Sequence, residues 1–535
     1  MPTMISQQTK KLIQKYQHWY NSLQKKEGVS TIHVDEVAAG VASFYEKIRG
    51  LVDWREEHLL RKTAIERNLK RRLFLGKDGE KIADPLVYEL IRGGHFPNDM
   101  VLESKIEEVQ KALDKYILIL ENESLKDDGF KLQMSNWILG IAACEIEEIL
   151  SPSLKENALI EYMTNLMKER IEVKENIIVF NGIKEEEKNT QIYTAVQRAL
   201  FKLDSPIISY HLLKKRYKEW KNLPDLQIKE VGQNIYSIYK NIEKDLNHPL
   251  ADKFYKICER YNTPYIILGD IISEDPIKAE ENISDPIILE SLIKKAYNQR
   301  LKTLKSRLGR AAFYATLSIF LTNVVALLAI EIPFAKYIVT GEFNSYAVIM
   351  DILGPTFLMA FLIITIVPPK KGNFEQVIME VMKIAHEKEI KDIYMIKSSK
   401  KRGVLFKTII SIFYIITFII SYGVIIWGLY KLNFPPLSYL IFVIFLSLIA
   451  FAGAKIRERS KELQVIEDKT TFSGFFIDLF SIPVLQTGKW LSSRFIKYNI
   501  IIVLFNSLID MPFQIFTEFL EQWRSFLKEK KEEIH

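Results

Sequence analysis

Near residue 310 this chain changes solvent. Ala311–Ile330 carries no charge over a length that crosses about 30 Å of hydrocarbon as a helix, and three more apolar runs follow at Tyr346–Val367, Thr408–Tyr430 and Leu432–Ala454. A single charged residue, Asp351, interrupts the four. The residues before them are polar and rich in charge, so the chain predicts a soluble half joined to a membrane half. Four transmembrane helices are expected at about 311–332, 346–367, 405–430 and 433–454.

Orientation follows from the bias of Lys and Arg in the short flanks. Lys294, Lys295, Arg300, Lys302, Lys305, Arg307 and Arg310 precede the first run without an intervening acid. The link between the second and third runs holds nine Lys/Arg, ending in Lys400, Lys401 and Arg402, and Lys455, Arg457, Arg459 and Lys461 follow the fourth. The opposite flanks offer only Lys336 and Lys431. A multi-pass protein of the cytoplasmic (inner) membrane is expected, with both termini cytosolic and basic flanks against anionic headgroups of the lipid bilayer.

Within the second basic link, residues 373–396 predict an amphipathic cytosolic helix whose stripe is Phe374, Val377, Ile378, Val381, Met382 and Ala385. Residues 474–530 predict amphipathic helices that lie on the membrane surface or re-enter it. Lys489, Arg494 and Lys497 interleave there with Trp490, Leu491 and Phe495, a pattern suited to cations that snorkel to phosphates.

The soluble half reads as helix after helix, in two regions at 1–125 and 130–305 with a linker around 122–129. Polar caps followed by proline mark helix starts at Asp84-Pro85, Ser151-Pro152, Ser205-Pro206, Asp275-Pro276 and Asp285-Pro286. Strand patterns are limited to Ile177–Gly182 and Pro264–Gly269. The fold class expected is all-α: a helical cytosolic domain, a four-helix transmembrane region and interfacial amphipathic C-terminal helices.

One long helix is expected from about Val34 to Phe74, with the core VASFYEKIRGLVDWREEHLLRKTAIERNLKRRLF. That stretch, TAVQRALFKLDSPIISYHLLKKRYKEW and the tail GKWLSSRFIKYNIIIVLFNSLIDMPF resemble an uncharacterised family of polytopic membrane proteins from small-genome bacteria. The resemblance spans most of the chain. It implies the shared layout of a helical cytosolic domain on a membrane base, and it carries over no catalytic residue.

Chemical motifs are sparse. Gly488-Lys489 lacks the upstream glycine and the following Ser/Thr of a phosphate-binding loop, and GxGxxG, GxSxG and HExxH do not occur. The eight histidines are scattered; the densest acid/histidine group, Glu56-Glu57-His58, consists of consecutive positions that diverge by about 100° on a helix and cannot converge on one ion. Cys144 and Cys258 form no CxxC. No catalytic, metal or cofactor site is expected.

Arg61, Lys62, Arg67, Lys70, Arg71 and Arg72 form a candidate basic surface for protein or lipid headgroups; nucleic acid is disfavoured because no exposed aromatics interleave. Asp351 is the candidate intramembrane polar site. Gly354-Pro355 follows within a turn, kinking the helix and freeing a carbonyl beside a carboxylate. The plainer reading places Asp351 near the outer end of its run, within reach of water. The leading functional expectation is a non-enzymatic scaffold or assembly factor that binds protein partners or a second copy of itself. The alternative is a transporter or channel subunit around Asp351.

Overall fold

The computed structural model describes residues 4–24, 57–74, 82–123, 128–173, 183–326, 371–386, 392–396, 403–431, 436–465 and 472–497, with parts of 28–41, 353–362, 434 and 519–530. Helices dominate, as the all-α expectation requires. Two compact units divide the chain: Met1–Lys294 with Ile378–Ser398 and Ser507–His535, and Lys295–Val377 with Ser399–Asn506.

In the first unit the helices are α1 (Gln7–Ser22), α2 (Glu57–Phe74), α3 (Ala83–Arg92), α4 (Ser104–Glu121), α5 (Asp128–Leu150), α6 (Leu154–Arg170), α7 (Glu185–Phe201), α8 (Ser205–Arg216), α9 (Asp225–Leu246), α10 (Ala251–Arg260), α11 (Asn262–Glu274) and α12 (Ala279–Ser284). Local chemistry fixes several ends. Ser6 caps α1 by accepting from the Thr9 N–H at 3.2 Å. Asp204 caps α8 by accepting from the Ile207 N–H at 3.2 Å, with Pro206 in the first turn. Asp285 Oδ1 accepts from Ile287 and Ile288 at the start of α13 (Pro286–Ala326). The chain leaves α7 through Lys202 at φ 51°, a left-handed cap in a non-glycine residue.

The core is aliphatic, with Trp220, Tyr16, Tyr210, Tyr265 and Phe254 as its largest fully buried side chains. The two helical regions expected in sequence do not separate: α2 and α4, from the first, both pack on α5, from the second. Pro264–Gly269, a strand candidate by composition, lies inside α11. Ile177–Gly182 lies outside the described residues, as does most of 34–56, the first part of the long helix expected to end at Phe74.

A segment from the far side of the sequence completes this unit. Helix α14 runs over Lys371–Ala385 and stops there, where the amphipathic pattern predicts continuation to 396. The chain instead forms a strand, Tyr394–Ile396, parallel to Ile171–Val173. The Ala385 carbonyl accepts from the Ser6 N–H at 3.1 Å, the Ile384 carbonyl from the Tyr162 hydroxyl at 2.8 Å, and the Ile283 carbonyl faces His386 Nε2 at 2.9 Å. Backbone groups that a free linker would leave to water are thereby satisfied inside the unit, and the ring of Tyr394 stacks on Tyr261 at 4.3 Å.

The second unit contains α15 (Val404–Lys431), α16 (Pro436–Ser460) and α17 (Phe472–Lys497). Among the described residues two helices are long and apolar enough to cross a membrane, Thr408–Lys431 and Tyr439–Ser460. These are the third and fourth expected spans. The first is described only to Ala326 and the second only in parts of 353–362. Around α16, Met359, Ile449 and Ile456 form a buried cluster joined by Leu308, Leu362 and Phe445. Asn373 ties the unit's edge together, donating to the Leu463 carbonyl at 2.7 Å and accepting from the Val465 N–H at 2.7 Å.

Candidate functional site

Helix α15 inverts the pattern of a water-soluble helix. Its buried positions include Thr417, Ser421 and Tyr422, whereas Ile409, Phe413, Ile416, Ile419, Val424 and Trp427 are exposed. Water penalises such an arrangement, since apolar area is stabilised at roughly 25 cal/mol per Å² removed from it. Hydrocarbon favours it, because each inward hydroxyl finds a partner and each outward side chain meets lipid. The hydroxyls do find partners. Tyr422 donates to Ser447 Oγ at 3.0 Å, and Ser447 in turn donates to the Val443 carbonyl at 2.8 Å. Ser421 Oγ reaches the Thr417 carbonyl of its own helix at 2.7 Å and the Phe480 carbonyl of α17 at 2.9 Å. Tyr414 donates to Gln486 Oε1 at 2.7 Å.

Glycine makes the closest approach possible. A Cβ on Gly488 of α17 would lie 2.7 Å from the Ser447 carbonyl carbon and 2.8 Å from Phe451 Cβ. Only a residue without a side chain allows α16 and α17 to meet there. Gly488 was considered in sequence as part of a failed phosphate-loop match; its role is steric.

The first unit holds a cluster of titratable groups around the C-terminal half of α5. A cavity of about 30 Å³ is lined by Lys62, Cys144, Glu147, Glu148, Tyr210 and His211, among others. That is room for about two waters. Burial pushes the Glu147 carboxyl up to about 7 although Arg61 contacts it at 2.9 Å. Burial also works upward on Glu148, but Lys214 at 2.7 Å, the Tyr210 hydroxyl at 2.6 Å and Lys221 bring it down to about 2. Neighbouring carboxyls driven apart in this way can divide acid and base roles. Here both are occupied by ion pairs, and the Cys144 thiol is pushed well up by burial and donates to the Gly140 carbonyl.

A second buried network adjoins the first on α5, where Glu145 lies one turn before Glu148. Lys115 of α4 donates to both Glu145 oxygens, at 2.6 and 2.8 Å, and to the Trp220 carbonyl at 2.9 Å. Tyr116 donates to Glu145 at 2.7 Å and accepts from Trp220 Nε1 at 3.1 Å.

The candidate basic surface on α2 is corrected by these neighbours. Arg61 pairs with Glu147, and Lys62, only 4 % exposed, pairs with Asp204 at 2.6 Å. Lys70 pairs with Glu66 at 2.8 Å, and Arg71 and Arg72 both pair with Glu89. Arg67 also makes an intramolecular contact. The run is an internal seam that fastens α2 to α3, α5 and the start of α8. Apart from Glu66, the acids that supply the countercharge are distant in sequence, so composition alone could not reveal it.

The cations before the first apolar run lie on α13. Lys294, Lys295, Lys302, Lys305, Arg307 and Arg310 are exposed and Arg300 is half-buried. Lys489 and Arg494 are exposed on α17, with the Arg494 guanidinium 6.0 Å above the Trp490 ring; the side chain of Lys497 and all of Lys400, Lys401 and Arg402 lie outside the described residues. So do Asp351 and Pro355, whereas Gly354 faces the Phe442 ring at 3.7 Å from a Cβ position. Among the described residues no group of three or more His, Cys, Asp or Glu is placed to hold a metal ion.

Compared with protein-family models, curated proteins and solved structures, the chain matches none.

Proposed function

We propose that this protein is an integral membrane scaffold or assembly factor of the cytoplasmic membrane that presents its helical unit to protein partners. The observation that carries the reading is the inverted helix α15, whose hydroxyls face its neighbours and whose Ile and Phe side chains face outward. Beside it stands the use of charge in the helical unit: the basic residues of α2 and the acids of α5 act as fasteners between helices. Exposed apolar side chains remain on that unit, including the edge-to-face pair Phe130 and Tyr236 and the side chain of Leu226. Such positions suit contact with another protein. In this reading the protein is multi-pass with both termini cytosolic, and the basic flanks, foremost the α13 cations, meet anionic headgroups.

Purification in mild detergent with chemical cross-linking is the test. Stable partner proteins or a homo-oligomer are expected. A partnerless monomer that catalyses a reaction would overturn the reading. A transporter or channel subunit around Asp351 is the second reading, favoured by the hydroxyl seam of Thr417, Ser421, Tyr422 and Ser447 between the helices. Proteoliposome flux lost in Asp351→Asn would establish it.

A further inference from the structure

The sequence of α17 divides into Phe475–Leu485, broken by Asp478 and Pro483, and Gly488–Lys497, and leaves open whether these pieces lie on the membrane surface or re-enter it. The structure has one continuous helix of 26 residues that runs through Pro483. Two arrangements at a membrane are open to such a helix. One lying in the plane separates apolar from polar side chains across its axis, on opposite faces. One that enters the bilayer separates them along its axis, with apolar residues at depth and aromatic and cationic residues at the headgroup level.

The exposed side chains of α17 follow the second pattern. Its first half exposes Phe475, Phe476, Phe480 and Ile482; its last turns expose Lys489, Trp490, Ser493 and Arg494. Asp478, also exposed, is the exception in the apolar half. The contacts with neighbouring helices agree. At Gly488 the helix meets α16 at backbone distance, and the Phe480 carbonyl and Gln486 side chain accept from Ser421 and Tyr414 of α15. Two of the three helices in this contact are those apolar enough to cross a membrane, so the exposed ridge of α17 continues their lipid-facing surface.

We infer that α17 is inserted in the bilayer beside α15 and α16, with the Phe475, Phe476, Phe480 and Ile482 ridge against acyl chains and the Lys489, Trp490 and Arg494 end at the anionic headgroups. The inference rests on the membrane reading of α15. Of the two arrangements open to this region, it selects the embedded one.

Depth decides it. Residues 476 and 493 are 17 positions apart, about 25 Å along a helix axis. Single cysteines at Phe476, Phe480 and Ser493, with Ile416→Cys on α15 as control, would be placed in the full-length protein in vesicles containing anionic phospholipid. Cys144 and Cys258 are both buried and leave the introduced thiols as the accessible ones. A membrane-impermeant maleimide should react roughly tenfold or more slowly at 476, 480 and 416 than at 493. Nitroxides at 476 and 480 should be relaxed by oxygen and one at 493 by a water-soluble nickel chelate. Equal depth at 476, 480 and 493, with 416 protected, would place α17 in the membrane plane and overturn the inference. Free aqueous labelling at 416 as well would instead overturn the membrane reading on which it rests. Two positions in the apolar half guard against one variant that fails to fold.

Discussion

Replacing Lys115 with methionine should be among the most damaging single changes in the helical unit. Lys115 is 4 % exposed and Glu145 1 %. The ammonium spends its three N–H groups on the two Glu145 oxygens and the Trp220 carbonyl, and it lies 5.3 Å from the Trp220 ring centroid. Methionine keeps the length of the stem but leaves a buried carboxylate held by the Tyr116 hydroxyl alone. Removing one partner of a buried pair costs about 3–5 kcal/mol, because the other charge is left in a medium that cannot solvate it. Lys115→Met/Glu145→Gln removes both charges and should cost only about 1–2 kcal/mol, less than the single change. The assay is hydrogen exchange of the slowest amides of α4 and α5 in the detergent-solubilised full chain, which reports opening free energy element by element. At 1.4 kcal/mol per factor of ten, the single variant should exchange there roughly a hundred to several thousand times faster. Exchange within about threefold of the parent, corresponding to under 1 kcal/mol, would refute the reasoning. So would a double variant whose cost is the sum of the two singles.

Four further outcomes are expected, three in the helical unit and one at Gly488. Asp204→Ala removes the α8 cap and the closest partner of buried Lys62, so unfolding in urea should shift by about 3 kcal/mol; Asp204→Asn, which keeps a capping oxygen, should lose less. Glu147 has its pKa raised from the ordinary 4.5 to about 7, so the folded state binds its proton more tightly than the unfolded chain. The stability it contributes is present below 4.5 and lost as pH rises through 7, on the order of 3 kcal/mol, and urea midpoints of Glu147→Gln should lack that slope. Glu148, depressed to about 2, acts in the opposite sense: its contribution holds above 4.5 and is lost as pH falls towards 2. Finally, Gly488→Val should displace α17 from its seat on α16 and carry it away from α15, so a bis-maleimide that joins cysteines at Tyr414 of α15 and Gln486 of α17 in the parent should fail to do so in the variant.

Much of the architecture was readable in order of residues. Helix starts at Ser205-Pro206 and Asp285-Pro286 carried their own signals, because a capping side chain acts on N–H groups two or three positions away. The third and fourth apolar runs were legible for a similar reason, since crossing length is a property of one uninterrupted segment. Pro264–Gly269 misled because β-favouring composition in so short a run is overridden by the helix that its neighbours continue. The strand at Tyr394–Ile396 gave no local sign: three residues become a strand only when Ile171–Val173, more than two hundred positions earlier, offers a parallel edge.

Sequence by itself determined where the long apolar runs begin and that its elements are helices, because both are set by side chains within one or a few turns. Tertiary structure decided what the charges and glycines are for. The basic residues of α2 read as a surface for protein or lipid headgroups, yet Glu89, Glu147 and Asp204 lie against them; Gly488 read as a failed phosphate loop, yet α16 lies against it. Electrostatic and steric partners are chosen by distance in space, and among these helices they come from positions far apart in the chain.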